Sequence, residues 1–321
     1  MSRQHVDHSH IAAFADERVN LKREDAKELR EQANRLREKL DSYLDEHPDF
    51  ELRKILLSGS LAKGTALKSN SDVDLACYVS SDGAPRKMAD LIEWLAQKLE
   101  KAFPNFKPEQ IKRKTYSVAV TFVGTGNEVD IVPILYSGDP EWRGALISQD
   151  TGEPLMTSVP MHLEFIRKRK RANKTHFAQV VRLIKFWAKL KKDEDEGFRF
   201  KSFMTELILA HLADDGCRLD DYPEALAAFF NFLVTDDFRT TIAFSDYYDQ
   251  SSCKPDGKPI QIWDPVNCEN NVAKLYTGEN KTAIIEAGLE AGDAIDSALH
   301  AISKGETLRY WRKVFGTTFD A

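Results

Sequence analysis

Two aspartates, Asp72 and Asp74, are separated by one residue. They lie in a stretch where apolar and other residues alternate, which predicts a β-strand over residues 72–79. Alternation places both carboxylates on one face of that strand, about 6–7 Å apart along it. Two carboxylates so placed can bridge a pair of divalent ions held about 3.5–4 Å apart. Because Mg²⁺ prefers carboxylate and phosphate oxygens, the pattern suits a site for a nucleoside triphosphate.

A glycine and a serine, Gly59 and Ser60, stand between a short predicted strand (residues 54–57) and the aspartate pair. A glycine lets the backbone approach the β- and γ-phosphates, and amide and hydroxyl groups can donate hydrogen bonds to them. A lone Gly-Ser is more often a simple turn, and a lone Asp-x-Asp is more often a solvated strand end. The ordered set of strand, Gly-Ser, turn and alternating aspartates favours a phosphate and metal site instead.

A third acid, Asp130, lies in a second stretch rich in β-branched residues, 128–135, with apolar neighbours on both sides. A carboxylate buried there is costly without a cation or hydrogen-bond donors. We therefore predict that Asp130 completes the metal site and accepts the proton of an attacking hydroxyl. Glu128 lies on the same face of the predicted strand as Asp130 and is the weaker candidate for the same role. A salt bridge from Asp130 to a core Arg or Lys is the alternative.

The spacing of apolar residues predicts the elements that position these acids. From Asp25 to Asp45 an apolar residue recurs every three or four positions, which predicts one long helix that serves both lobes as a spine. A coiled-coil seam is the competing interpretation. Residues 116–123 and 128–135 predict an antiparallel hairpin. Further helices are predicted over residues 88–103, 161–171, 177–191, 203–214, 222–234 and 282–302.

Both strands and helices are predicted before residues 158–160, and mainly helices after them, which predicts an α+β fold in two domains. Residues 1–160 should hold the spine helix and a catalytic lobe with a mixed β-sheet. Residues 161–321 should form a helical lobe that completes a nucleotide cleft. A chain of 321 residues is long enough for this division.

Composition narrows the class of protein. A net charge of −6 argues against a general nucleic-acid binder, since each neutralised phosphate needs a Lys or Arg. The most basic run, Arg167 to Arg171, is interpreted as a partly solvated surface rather than a site for a partner, a nucleic acid or a triphosphate. The sequence shows no signal peptide and no apolar run long enough to cross a membrane, so we predict a cytoplasmic protein with no membrane partner.

The order of these motifs resembles that of the DNA polymerase β-like nucleotidyltransferase superfamily. More narrowly, GSLAKGT (59–65) with SDVDL (71–75) is similar to the signature of oligoadenylate synthetases and of the bacterial cGAS/DncV-like nucleotidyltransferases. Three later segments agree with that family in type and order. They are VVRLIKFWAKL (180–190), FKSFMTELIL (200–209) and IWDPVNCENNVAKL (262–275).

The resemblance implies roles for three residues of the second half. Lys185 corresponds to the family's phosphate-contacting lysine, Ser202 to a phosphate-contacting serine, and Phe203 to an aromatic residue that stacks on a base. Phe203 stands where several relatives have tyrosine, so stacking is kept but a hydroxyl hydrogen bond is lost. The zinc insertion of the animal DNA sensor is absent from this sequence.

With the segments at residues 5–21 and 308–319, the likeness is closest to clades C and D of the bacterial enzymes. That group implies a polymerase β-like palm and two Mg²⁺ ions, with Mn²⁺ as a substitute. It also implies synthesis from ATP, with other ribonucleotides as further substrates, of an adenosine-rich cyclic trinucleotide that acts as a second messenger in anti-phage (CBASS) signalling. A HORMA-domain protein and a Trip13-like ATPase are the implied partners, and DNA is an implied activator. The alternatives are a linear oligoadenylate synthetase, a template-independent RNA nucleotidyltransferase and an inactive nucleotide-binding scaffold.

Overall fold

The computed structural model describes residues 5–46, 52–69, 73–147 and 153–320. They form two compact units, which we call the sheet unit and the helical unit. The sheet unit contains the described residues of 21–66 and 73–164, and the helical unit those of 5–20, 67–69 and 165–320. The units thus group residues 5–20 with the C-terminal half of the chain, and the division into domains at residue 160 stays a prediction.

The α-helices of the described residues include all those that the sequence predicts, in the predicted order, and each predicted bound lies within four residues of the observed one. They are α1 (His8–Phe14), α2 (Arg23–Glu46), α3 (Gly59–Lys63), α4 (Met88–Ala102), α5 (Val159–Asn173), α6 (His176–Glu194), α7 (Ser202–Asp214), α8 (Tyr222–Asp236), α9 (Gly278–His300) and α10 (Lys304–Phe315). The spacing of apolar residues does not predict α1 or α10. Among the described residues, no helix is both long and apolar enough to pass through a membrane.

The strands of the sheet unit form one mixed sheet. They are β1 (Leu52–Ser58), β2 (Val73–Ser80), β3 (Ile111–Arg113), β4 (Val118–Thr121), β5 (Glu128–Tyr136), β6 (Gly144–Ile147) and β7 (Pro154–Thr157). Their order is β1-β2-β5-β4-β3, with β6 beside the end of β5 and β7 beside β6. β2 and β5 are parallel, whereas β4 and β5 form the predicted antiparallel hairpin. The predicted mixed sheet is confirmed.

The sheet unit buries its core between this sheet and two helices. On α2 the predicted stripe is buried at Leu29, Ala33, Leu36 and Leu40. On β2 the residues at 73, 75, 77 and 79 enter the same cluster, together with the apolar face of α4. Their alternation is the one that the sequence predicts, because successive side chains of a strand point to opposite faces. The core therefore fixes which face of β2 carries Asp74.

The helical unit has its own core, centred on α6. Val180, Val181, Ile184 and Trp187 on α6 are fully buried, as predicted from their spacing. Helices α7, α8 and α9 and the aromatic residues of α10 pack in the same cluster. A two-stranded sheet, β8 (Trp263–Asp264) and β9 (Asn267–Asn271), also belongs to this unit.

Candidate active site

Strand pairing brings two of the three predicted acids together. β2 and β5 run parallel with Asp74 directly opposite Asp130. Paired residues on neighbouring strands point to the same face, and the strands lie about 4.8 Å apart. The two carboxylates are therefore neighbours on one face of the sheet. Asp72 precedes β2 in the sequence and lies outside the described residues.

Both acids are partly exposed, whereas residues farther along the same face of β2 are buried. Farther along the same face of β2, Ala76 and Tyr78 are 2% and 0% exposed and pack with Ile134 of β5. Asp74 and Asp130 are only partly buried. Their carboxylates are thus accessible to a ligand, while the residues behind them fix the strands.

Gly59 brings the backbone of the Gly-Ser pair against Asp74. β1 ends at Ser58, which is paired with Asp74, and Gly59 follows with a φ of 63°. A Cβ atom at residue 59 would lie 1.8 Å from Oδ2 of Asp74, far closer than any real contact. Ser60 comes next, in the short helix α3, and its carbonyl accepts a hydrogen bond of 2.9 Å from the Thr65 amide. Three predicted site residues (Gly59, Ser60 and Asp74) are therefore contiguous in space or in the chain.

Asp130 has two side-chain partners, Lys114 and Ser117, and the first forms the ion pair considered as the alternative, although Lys114 is 39% exposed and not a core residue. The Lys114 ammonium donates to the Asp130 carboxylate at 2.8 Å and to Oε1 of Glu128 at 2.6 Å. The Ser117 hydroxyl donates to Oδ1 of Asp130 at 3.1 Å. Partial burial lowers the pKa of Lys114, but the hydrogen bonds to Asp130 and Glu128 outweigh it, so the net pKa is raised. The lysine is a cation at neutral pH.

The hairpin contained a signal for one of these partners. Ala119 on β4 is paired with Asp130, and Ser117 shares the face of Ala119 because it is two residues away. A predicted hairpin with this register therefore places a hydroxyl beside the acid. Lys114 lies beyond the strand, in a turn closed by a bond of 2.9 Å from its amide to the Ser117 carbonyl. No periodicity marks that position.

The residues of this face fit a divalent ion. Asp74 and Asp130 supply the oxygen ligands that Mg²⁺ prefers. The absence of a side chain at Gly59 lets the Asp74 carboxylate lie against the backbone of the Gly-Ser pair, because a Cβ atom there would overlap Oδ2. Within the described ranges, no group of three His, Cys, Asp or Glu residues is arranged to hold a metal ion, and Asp72 is not among those residues.

The other predicted contacts to phosphate and base lie in the helical unit. Lys185 follows the fully buried Ile184 on α6 and is itself partly buried. Ser202 is the exposed first residue of α7, a helix that packs against α6. Phe203 is partly buried and packs against the core of the unit. The three residues thus occupy two adjacent helices, whereas Gly59, Ser60, Asp74 and Asp130 belong to the sheet unit.

A polar network holds α6 against the segment that follows α1. Oδ1 of Asn20 accepts hydrogen bonds from Arg182 at 2.8 Å and from Gln179 at 3.1 Å. The Asn20 amide donates in return to Gln179 at 2.9 Å. Burial lowers the pKa of the Arg182 guanidinium. The network lies one helical turn before Lys185 and fixes the rotation of α6 at that point.

The segment 262–275, which resembles the family's DPxxxxxNV motif, serves the local structure. The Asp264 carboxylate accepts from the Val266 amide at 2.9 Å and from the Asn270 side chain at 3.1 Å. The Asn271 side chain accepts from the Ala273 amide at 3.0 Å and donates to the Ile260 carbonyl at 2.8 Å. These side chains are buried and hydrogen-bonded to the segment itself and to the residues just before it, which accounts for their residue types without a ligand.

Comparisons with known proteins agree over nearly the whole chain. Residues 7–160 match the family described as the Second Messenger Oligonucleotide or Dinucleotide Synthetase domain. A cyclic AMP-AMP-AMP synthase of Escherichia coli strain MS 115-1 is 56% identical over 99% of this chain and 99% of its own. A structure of E. coli MS115-1 CdnC with ATP is 55% identical with a TM-score of 0.95, over 99% of this chain and 100% of that chain. A complex of E. coli MS115-1 CdnC with HORMA-deltaN is 54% identical with a TM-score of 0.95, over 100% of both chains.

Proposed function

Because the chain belongs to the bacterial cGAS/DncV-like nucleotidyltransferases, we propose that it joins three adenosine nucleotides from ATP into cyclic AMP-AMP-AMP. The family and the nucleotidyltransferase fold predicted from the motifs are confirmed, and the chain is an enzyme that makes a cyclic oligonucleotide. The choice of product rests on one observation, the 56% identity to a synthase of that product. The placement nearest to clades C and D stays a prediction.

The reaction uses the acids of the sheet unit. Two Mg²⁺ ions, or Mn²⁺ in their place, held by Asp72, Asp74 and Asp130, would neutralise the triphosphate and increase the acidity of the attacking hydroxyl. Asp130 accepts the proton of that ribose hydroxyl. A bond forms from the hydroxyl oxygen to the α-phosphorus, and the bond from that phosphorus to the oxygen of the departing pyrophosphate breaks. Two such transfers lengthen the chain, and a third closes the ring.

Five further residues are assigned to the nucleotide in this proposal. The Gly59 and Ser60 backbone and the Ser60 hydroxyl donate to phosphate oxygens. Lys185 and Ser202 bind the triphosphate, and Phe203 stacks on a base through its ring. Charge that develops on the transferred group and the pyrophosphate is stabilised by Ser60 and Lys185.

We also propose a HORMA-domain partner, supported by the complex of a chain 54% identical to this one. A Trip13-like ATPase, activation by DNA and a cytoplasmic location in anti-phage signalling remain part of the proposal on the strength of the family resemblance. Purified alone, the enzyme should be weakly active, and the HORMA partner should increase its rate by ordering the site.

Mass spectrometry of the products tests the proposal. The protein is incubated with all four ribonucleotides and Mg²⁺, with and without a HORMA partner and DNA, and phosphatase treatment removes linear products that carry terminal phosphates. We expect a phosphatase-resistant product with the mass of a cyclic triadenylate, which increases when the HORMA partner is present. Omission of Mg²⁺, followed by addition of Mn²⁺, tests whether a divalent ion is required and whether Mn²⁺ can replace Mg²⁺.

Each alternative predicts a different product. Phosphatase-sensitive oligoadenylates alone would indicate a linear synthetase, and extension of an added RNA would indicate a terminal nucleotidyltransferase. The absence of any product under all combinations would favour a nucleotide-binding scaffold. A maximal rate without the HORMA partner would contradict the proposed regulation while leaving the chemistry in place.

A further inference from the structure

The Lys114 ammonium lies against the Asp130 carboxylate, where the proposed mechanism places a metal cation. Its ammonium lies 2.8 Å from the Asp130 carboxylate and 2.6 Å from Oε1 of Glu128. The Asp130 side chain is 20% exposed, so much of its remaining surface faces protein. The Ser117 hydroxyl takes part of its accepting capacity as well. An ammonium therefore occupies oxygens that the proposed mechanism assigns to a divalent ion.

Electrostatics explains why a lysine is placed there. Asp74 lies opposite Asp130 across the parallel pair, and Glu128 shares the face of Asp130 two residues away. Carboxylates gathered on one face repel one another when no cation is bound. A lysine is a compact charge on a flexible stem, so it can neutralise the acids and then move away. The neighbouring Arg113 does not share this role, because its guanidinium is bound to Glu93 at 2.6 Å and Glu100 at 2.8 Å.

We propose that Lys114 is a tethered counter-ion, which occupies Asp130 in the metal-free enzyme and competes with the divalent ion for that carboxylate. This inference rests on the proposed role of Asp130 as a metal ligand. Lys114 is then a positioning residue that sets the metal affinity of the site. Glu128 acts through Lys114, because it retains the ammonium after the metal has taken Asp130, and it is not itself a ligand.

The placement of Lys114 permits this exchange. Its side chain is 39% exposed and extends from the turn that leads into β4, so rotation about its own bonds can withdraw the ammonium without moving a strand. Glu128 is 37% exposed and offers an acceptor on the solvent side. The pair with Glu128 can therefore persist when the contact with Asp130 is lost.

Titration of the nucleotide-free protein with Mn²⁺, with free Mn²⁺ measured by electron paramagnetic resonance, tests the proposal. We expect Lys114→Met to bind Mn²⁺ about threefold to fivefold more tightly than wild type, which is the upper part of the range for the loss of one exposed ion pair. Lys114→Arg keeps the charge and should stay within about twofold of wild type. Lys112→Met, which removes an exposed lysine on β3, is the matched control and should leave the affinity unchanged.

Two further variants separate this inference from the metal assignment. Asp130→Asn should weaken Mn²⁺ binding at least about tenfold, and wild-type affinity in that variant would overturn the assignment of Asp130 itself. If Asp130→Asn weakens binding but Lys114→Met does not strengthen it, the counter-ion proposal alone is wrong. Glu128→Gln should weaken Mn²⁺ binding in the wild-type background and have no effect in the Lys114→Met background. An equal loss in both backgrounds would make Glu128 a ligand and overturn its assigned role.

Discussion

The backbone of Gly59 lies so close to the Asp74 carboxylate that a residue with a Cβ atom does not fit at position 59. A Cβ atom there would lie 1.8 Å from Oδ2 and 2.7 Å from Cγ of Asp74. The register between β1 and β2 creates this approach, because Ser58 is paired with Asp74 and the chain turns directly after it. The glycine of the Gly-Ser motif is therefore required by the carboxylate as well as by the phosphate that it is proposed to bind.

Replacement of Gly59 by alanine should abolish most of the activity. The added methyl group must displace the Asp74 carboxylate by more than 1 Å, and a misplacement of that size costs at least about a hundredfold in rate. The positive φ adds strain of about 1–2 kcal/mol. The measurement is the initial rate of cyclic oligonucleotide formation, together with the thermal midpoint.

Gly126→Ala is the matched control for Gly59→Ala. Gly126 has a φ of 73° in the turn of the hairpin, and nothing lies within 4 Å of a Cβ atom built there. It should therefore lose a similar amount of stability but retain its activity. Equal activity losses in the two variants would mean that backbone strain, and not the contact with Asp74, explains the effect.

The double variant Asp72→Asn, Asp74→Asn should lose nucleotide transfer and keep its fold. Removal of the ligands removes several kcal/mol of transition-state stabilisation, which corresponds to at least about a thousandfold in rate. The relief of repulsion between clustered carboxylates should leave the thermal midpoint of the metal-free protein unchanged or slightly raised. Asp82→Asn, at an exposed position just after β2, is the control. Normal turnover in the double variant would disprove the metal assignment.

Local patterns sufficed for most of the helices, though not for α1 and α10, and for the face of β2 that is buried. The apolar stripe of α2 and the buried face of α6 follow from side-chain spacing alone, because apolar residues recur every three or four positions along one helix face. The alternation in β2 likewise predicts that Asp74 faces away from Leu75 and Cys77. The parallel pairing that places Asp74 opposite Asp130 joins positions 56 residues apart, so no local pattern predicts it. Asp130 was assigned to the site because a carboxylate among apolar neighbours is costly to bury without a cation.

Partners distant in sequence could not be predicted. The basic run at residues 167–171 was interpreted as partly solvated surface, yet Arg169 is only 3% exposed. Its guanidinium donates to Asp246 at 2.9 and 2.8 Å and stacks over the Phe165 ring at 3.7 Å. Asp246 is 77 residues away, in a loop without periodicity. Lys114 escaped notice for the same reason, since a lysine in a turn has no feature that distinguishes it from a solvated one.

The Arg169–Asp246 pair should make stability depend on pH. Burial raises the pKa of Asp246, but the bonds from Arg169 and Lys168 outweigh it and hold the pKa below the usual 3.8. The unfolded state therefore binds the proton first, so the stabilisation is complete above the unfolded pKa and is lost as pH falls through the lower folded value. Asp246→Asn should cost about 3 kcal/mol at pH 7, because it leaves a buried guanidinium partly unpaired.

Denaturant unfolding followed by tryptophan fluorescence at pH 7, 5, 4 and 3 measures this effect. The difference between wild type and Asp246→Asn should be constant from pH 7 to 5 and shrink below pH 4. Asp220→Asn, which removes an exposed partner of the exposed Arg218, should cost less than about 1 kcal/mol at each pH. A difference that does not change with pH would mean that the carboxylate charge of Asp246 is not the source of the stabilisation.

Lys185 provides the test of phosphate binding apart from metal chemistry. It follows Ile184 on α6 by about 100° of helical rotation, so it lies at the edge of the buried face, where the structure leaves it partly exposed. If it pairs with the triphosphate, Lys185→Ala loses a charge-assisted bond of about 1.5–3 kcal/mol. ATP binding or the transfer rate should fall roughly tenfold to a hundredfold. Binding of Mn²⁺ to the nucleotide-free protein should be unchanged, because Lys185 is not one of the proposed metal ligands.

Lys189→Ala is the control for Lys185→Ala, since it lies one turn farther along α6 and pairs with Asp193 on the surface. Its loss should change the kinetics by less than about twofold, as expected for an exposed ion pair. Rates at several ATP concentrations separate the two steps: a raised KM places the contact in the ground state, and a lowered kcat places it in the transition state. Wild-type values for Lys185→Ala would make it an ordinary surface lysine. They would also remove the support for transferring the family's roles to Ser202 and Phe203, because all three were assigned from the same resemblance.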